Sequence, residues 1–130
     1  MKTILVVDDE PDLLNTLAET LGRAGYKVIP KPDAESALAV VREGTKIDLV
    51  ITDMRMPGMS GSEFVTVLKQ ALPSVPVIML TAYGSVETYL TSMSSGAFEY
   101  VNKPVKAAEL RRIVKAALEW SKAHNSSTTP

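Results

Sequence analysis

The stretch Ile4-Leu5-Val6-Val7-Asp8-Asp9-Glu10-Pro11 decides the fold. Its first four residues are apolar without alternation, the pattern of a strand in a parallel sheet covered on both faces. Three acids then stop the run, and a proline follows where the first turn of a helix tolerates one. The segment reads as strand, acidic turn and helix start. Leu13, Leu14, Leu17, Ala18 and Leu21 supply the apolar stripe of that helix, and Gly25 stands where it should stop.

Outward from this unit the same grammar returns. Further strands are expected at 27–29, 47–52, 77–80 and 99–101, each rich in β-branched or aromatic residues. A second helix is expected over 33–43, with Asp33 as its N-cap and Gly44 beyond its end. A third carries Phe64, Val67, Leu68 and Ala71 and is stopped by Pro73. The fourth, over 85–95, has a weaker stripe of Val86, Tyr89, Leu90 and Met93. The fifth carries Leu110, Ile113, Val114, Ala117 and Leu118. The pattern is α/β, (βα)5. Right-handed crossovers turn it into a doubly wound parallel sheet with helices on both faces.

The 130 residues fit one domain, read as residues 1–124, with a polar tail over 125–130 expected to be disordered. A formal net charge of -1 offers no electrostatic footprint for nucleic acid. The absence of cysteine excludes disulfides, thiol catalysis and thiolate metal sites. Asp8 and Asp9 end the first apolar run too early for a signal peptide, and no stretch approaches membrane-spanning length. The expected location is the cytoplasm, with no membrane contact.

Ligands of open parallel sheets bind beyond the carboxyl ends of the strands. At those ends stand Asp8 and Asp9 after the first strand, Asp53 after the third, Thr81 after the fourth and Lys103 after the fifth. Three carboxylates at one edge repel one another, and a hard divalent cation relieves the conflict. Mg²⁺ favours one or two carboxylates, several waters and a phosphate oxygen. Lys103 adds a positive charge suited to phosphate, and Thr81 a hydroxyl donor. A carboxylate left free by the metal can attack phosphorus. Singly, each residue has a plainer role: an acidic pair or Asp53 can cap a turn, a strand-end threonine is commonly structural, and Lys-Pro is a common surface dipeptide. Their joint placement at one edge carries the argument.

At this point the chain resembles the receiver domains of bacterial two-component response regulators, over about residues 2–122. The matching blocks begin with the opening stretch. Asp48-Leu49-Val50-Ile51-Thr52-Asp53-Met54-Arg55-Met56-Pro57-Gly58-Met59-Ser60-Gly61 follows, then Pro76-Val77-Ile78-Met79-Leu80-Thr81-Ala82 and Gly96-Ala97-Phe98-Glu99-Tyr100-Val101-Asn102-Lys103-Pro104. The resemblance implies a flavodoxin-like strand order 2-1-3-4-5. It implies Asp53 as phosphoacceptor, and Mg²⁺ held by Asp8, Asp9, Asp53 and the backbone carbonyl of Arg55. Lys103 and Thr81 would contact phosphoryl oxygens. Tyr100 would be the aromatic that turns inward with Thr81 and repacks the face made by the fourth helix, fifth strand and fifth helix. The peptide bond between Lys103 and Pro104 would be cis.

The implied phosphodonor is a sensor histidine kinase, a phosphotransfer protein or a small acyl phosphate. The implied recipients of the signal are an output domain or partner protein, or a second copy of the chain in a phosphorylation-dependent dimer. The domain would catalyse only its own phosphorylation and dephosphorylation. Arg55 and Tyr83 would flank the water that attacks the acyl phosphate. Neither is an acid or amide, so a long-lived phosphorylated state is expected. Gly58, Gly61, Pro57 and Pro76 are read as structural. Trp120 and Tyr89 are read as partly exposed on the output side, and His124 as a solvated residue at the end of the last helix.

Three other readings are weaker. A phosphatase of the haloacid dehalogenase type resembles Asp-x-Asp after the first strand, and here the acids are adjacent. A dinucleotide-binding module needs a glycine-rich first turn, and this one has no glycine. A degenerate receiver serving as an unphosphorylated scaffold would not need Asp8, Asp9, Asp53, Thr81 and Lys103 together.

Overall fold

The computed structural model describes residues 1–82 and 84–127, with side chains described as far as Ala123. Among the described residues, five strands and five helices alternate: β1 Thr3–Val7, α1 Pro11–Arg23, β2 Lys27–Lys31, α2 Ala34–Arg42, β3 Leu49–Thr52, α3 Gly61–Ala71, β4 Val77–Thr81, α4 Val86–Ser95, β5 Glu99–Asn102 and α5 Ala107–Ser127. The strands form one sheet in the order β2-β1-β3-β4-β5, and every pairing is parallel. The expected topology is the observed one.

Strand geometry divides the core in two, because successive side chains leave opposite faces of a sheet. Ile4 and Val6 of β1 join Leu49, Ile51, Ile78 and Leu80 beneath α1 and α5, which add Leu14, Leu17, Leu21, Leu110, Val114 and Ala117. Leu5 and Val7 join Val50, Val77 and Met79 beneath α2 and α3, which add Ala37, Leu38, Phe64, Val65 and Leu68. This is why the inner strands show no polar alternation: both faces are dry. β2 lies at the sheet edge and carries Pro30, a residue confined to such positions because it cannot donate to a ladder.

Caps set the helix starts. The Asp33 carboxylate accepts from Ser36 N at 2.8 Å, which holds the Asp33 carboxyl below its usual range. Ser60 and Ser85 open α3 and α4 with reciprocal capping boxes, to Glu63 and Thr88. α4 is the least embedded helix: Ser92 is its only buried residue, whereas Val86 and Leu90 are 77% and 57% exposed. α5 continues to Ser127, three residues into the polar segment expected to be a tail, and residues 128–130 lie outside the described residues.

Candidate functional site at the carboxyl edge of the sheet

The chain leaves β1 toward β2 on one side and later returns to β3 on the other. A crevice opens where the order reverses, beyond the carboxyl ends of β1 and β3. Asp8 follows β1 and Asp53 follows β3, and the register Val7↔Thr52 sets the two acids side by side. Both are buried, at 2% and 3% exposure. Backbone N–H groups fix their carboxylates: Glu10 N donates to Asp8 at 2.9 Å, and Met54 N donates to Asp53 at 2.7 Å.

Lys103, one residue past β5, reaches back over the edge of the sheet. Its ammonium donates to Asp8 at 2.8 Å and to Asp53 at 3.2 Å, and stands 3.5 Å from the Glu10 carboxylate. The bond from Lys103 to Pro104 is cis. Burial works against the Lys103 charge, but the hydrogen bond and charge of Asp8, followed by those of Asp53, outweigh it and hold the ammonium above the usual lysine range. Burial pushes the Asp53 carboxyl up. Lys103 and the Met54 N–H oppose that shift, whereas the charge of Asp8 adds to it.

A cleft of about 550 Å³ opens over this cluster, lined by Asp9, Glu10, Asp53, Arg55, Met56 and Pro57. Carboxylate oxygens of Asp8, Glu10 and Asp53 lie within 4.8 Å of one another. One ammonium faces three carboxylates, so the cluster stays anionic. A compact set of oxygen donors beside open, wet space fits a hard divalent ion that keeps part of its water shell. Asp9, expected among the ligands, lines the cleft and is exposed. Glu10 joins the carboxylates although it was not singled out from the sequence. The available signal was its N-cap position, which glutamate seldom fills well.

Gly61 keeps the loop after Asp53 close to the site. A β-carbon there would collide with the Asp53 carbonyl oxygen and come within 2.8 Å of Met54 Cα. Its role is close approach, whereas Gly58, at φ 84°, supplies a left-handed turn.

Thr81 ends β4 and is fully buried. Tyr100 is half-buried on β5, its hydroxyl 2.6 Å from Thr88 Oγ1 and its ring edge-on to Tyr89 with centroids 5.7 Å apart. Tyr89 and Trp120 are 43% and 36% exposed, and Trp120 leans on Phe98. Arg55 lies at the mouth of the cleft. Tyr83 and the side chain of His124 lie outside the described residues.

A doubly wound sheet with an acidic crevice at its switch point, clamped by a lysine from the last strand, defines a class of phosphate-handling α/β modules. The chain belongs to the response regulator receiver domain family, whose model matches residues 4–115. It is 42% identical over 114 residues to the response regulator protein PilR of Pseudomonas aeruginosa, covering 88% of this chain and 25% of that protein. It is 38% identical over 125 residues to the two-component response regulator PhoP of the same organism, covering 96% and 55%. A receiver domain structure from Clostridium thermocellum superposes with a TM-score of 0.89 at 35% identity, covering 95% of this chain and 98% of that one. A CheY-like receiver from Methanospirillum hungatei gives 0.91 at 31%, with the same coverages. The chain spans about a quarter of the length of the first curated relatives it matches. Among the described residues, no helix is long and apolar enough to cross a membrane.

Proposed function

We propose that residues 1–124 act as a phosphorylation-controlled switch in the cytoplasm, with Asp53 taking a phosphoryl group from the phosphohistidine of a sensor kinase or phosphotransfer protein. The observation that carries this reading is the buried Asp53 carboxylate, 3.2 Å from the Lys103 ammonium and lining the open cleft. An Asp53 oxygen forms the new bond to phosphorus as the P–N bond breaks, and the electron pair stays on the departing imidazole nitrogen. Lys103 then pairs with a phosphoryl oxygen in place of the lost carboxylate charge. Thr81 donates to another phosphoryl oxygen.

Mg²⁺ would be held by Asp8, Asp9, Asp53 and the Arg55 carbonyl, and when bound it neutralises the charge on the transferring phosphoryl oxygens. The residues work on the chain itself and turn over no outside substrate. With an arginine at the cleft mouth and no acid or amide in its place, we expect phospho-Asp53 to persist well beyond seconds.

Output runs through the face of α4, β5 and α5. Tyr100 there is bonded to α4 through Thr88, and exposed Val86 and Leu90 offer apolar surface to an output domain, a partner protein or a second copy. The test is intact mass spectrometry after incubation with acetyl phosphate and Mg²⁺. Wild type should gain one phosphoryl group and Asp53→Ala none. Equal labelling of both removes the assignment. Size exclusion with and without beryllofluoride reads the dimer.

A further inference from the structure

Glu10 has no evident structural task. It is the N-cap residue of α1, yet its side chain makes no capping hydrogen bond. Glutamate is not among the residues that cap well, and Pro11 beside it has no N–H to be capped. The carboxylate instead lies over the site, 3.5 Å from Lys103 Nζ and within 4.8 Å of oxygens of Asp8 and Asp53. Its side chain is 62% exposed, against 2% for Asp8 and 4% for Asp53. The two deep acids are therefore held by protein groups, and the third stands where water reaches it.

We propose that Glu10 is a positioning residue for the divalent ion. It holds the ion through metal-bound water at the mouth of the cleft, and it shares Lys103 when no ion is present. The proposal rests on the reading of the site as a Mg²⁺-dependent phosphoacceptor. An ion that dehydrates reluctantly needs acceptors for its remaining waters, and an exposed carboxylate on the open side supplies them. Its charge also reinforces the attraction of the buried pair for a cation without the cost of burying a further ion.

The experiment is calorimetric titration of the full chain with Mg²⁺ alone, in wild type, Glu10→Gln, Glu10→Lys and Glu43→Gln. Glu43 is an exposed acid at the end of α2, the opposite edge of the sheet. Glu10→Gln should raise the Mg²⁺ dissociation constant about threefold to tenfold, the scale of a partly exposed carboxylate facing a divalent charge. Glu10→Lys should raise it further, and Glu43→Gln should leave it within twofold. The Mg²⁺ concentration giving half-maximal phosphorylation by acetyl phosphate should rise by the same factor. A change below twofold in Glu10→Gln, an equal change in Glu43→Gln, or no further rise in Glu10→Lys overturns the proposal. Wild type that neither binds Mg²⁺ nor accepts a phosphoryl group would instead remove the reading beneath it.

Discussion

Replacing Asp53 with asparagine should make the metal-free chain more stable and remove most of its response to magnesium. The Asp53 side chain is 4% exposed and shares one ammonium with Asp8, Lys103 lying 3.2 Å from the first and 2.8 Å from the second. Burial nevertheless pushes the Asp53 carboxyl up, so its surroundings disfavour the charge. Asparagine keeps the shape and an oxygen for the Met54 N–H now 2.7 Å away, and Lys103 keeps Asp8 and Glu10. The gain should be about 1–2 kcal/mol, because the burial penalty of one carboxylate is lifted while Lys103, unlike the survivor of a broken buried pair, keeps two other acidic partners. For a chain of this length that is about 3–8 °C in Tm.

Two dependences sharpen the prediction. A carboxyl whose pKa is raised by folding stabilises the native state below the ordinary carboxylate range, and that contribution is lost as pH rises through the raised value. In metal-free buffer, wild type should therefore close the gap to Asp53→Asn as pH falls through that window. Magnesium at tenfold above its dissociation constant should stabilise wild type by about 1.4 kcal/mol, and the variant by far less. Thermal unfolding followed by circular dichroism, with EDTA and then with Mg²⁺, reads all three effects. A variant less stable than wild type in EDTA, or one with the full magnesium response, would refute the electrostatic reasoning.

Gly61→Ala should cost about 2 kcal/mol or more, because its β-carbon meets only backbone of Asp53 and Met54; urea unfolding measures it, and a neutral result would show the loop can yield. Phe64→Ala, at a fully buried position on the inner face of α3, should cost about 3–5 kcal/mol by the same assay, and a loss under 1 kcal/mol would contradict the packing described. Thr88→Val removes the 2.6 Å partner of the Tyr100 hydroxyl and should tighten beryllofluoride binding by about fivefold, the worth of one hydrogen bond. Unchanged affinity would mean that the Thr88–Tyr100 hydrogen bond does not oppose the switch.

The fold was legible wherever both faces of a strand are dry. Ile4 to Val7 and Val77 to Leu80 are continuous in apolar residues because helices cover them on each side, and that pattern has few competing explanations. The apolar pattern starts β3 at 47, two residues before its first ladder position at Leu49; Ile47 is buried and looks like strand, but it lies in the approach to the sheet. Asp8, Asp53 and Lys103 were legible for a topological reason, since a residue just past a parallel strand must lie at the carboxyl edge. The meeting of Lys103 with both acids adds only the length of a lysine side chain to that rule.

Side-chain direction is what a linear string does not carry. Asp9 and Glu10 are adjacent exposed acids in the same turn, and nothing in their order says which carboxylate faces the buried pair. The choice depends on the backbone at Glu10, whose φ of -91° and ψ of 108° leave the helix axis just before Pro11 imposes it. Thr88 was hidden in the same way: as the third residue of α4 it looks like half of a capping box, and it is that. Its hydroxyl also meets Tyr100 because β5 runs beside the start of α4, a contact between residues twelve apart in the chain. In both cases one side chain sits where a helix begins and a strand edge ends. A helix start leaves side chains near its N-cap free to turn toward a neighbouring strand, so in a doubly wound sheet these are the positions where a capping residue can acquire a second task.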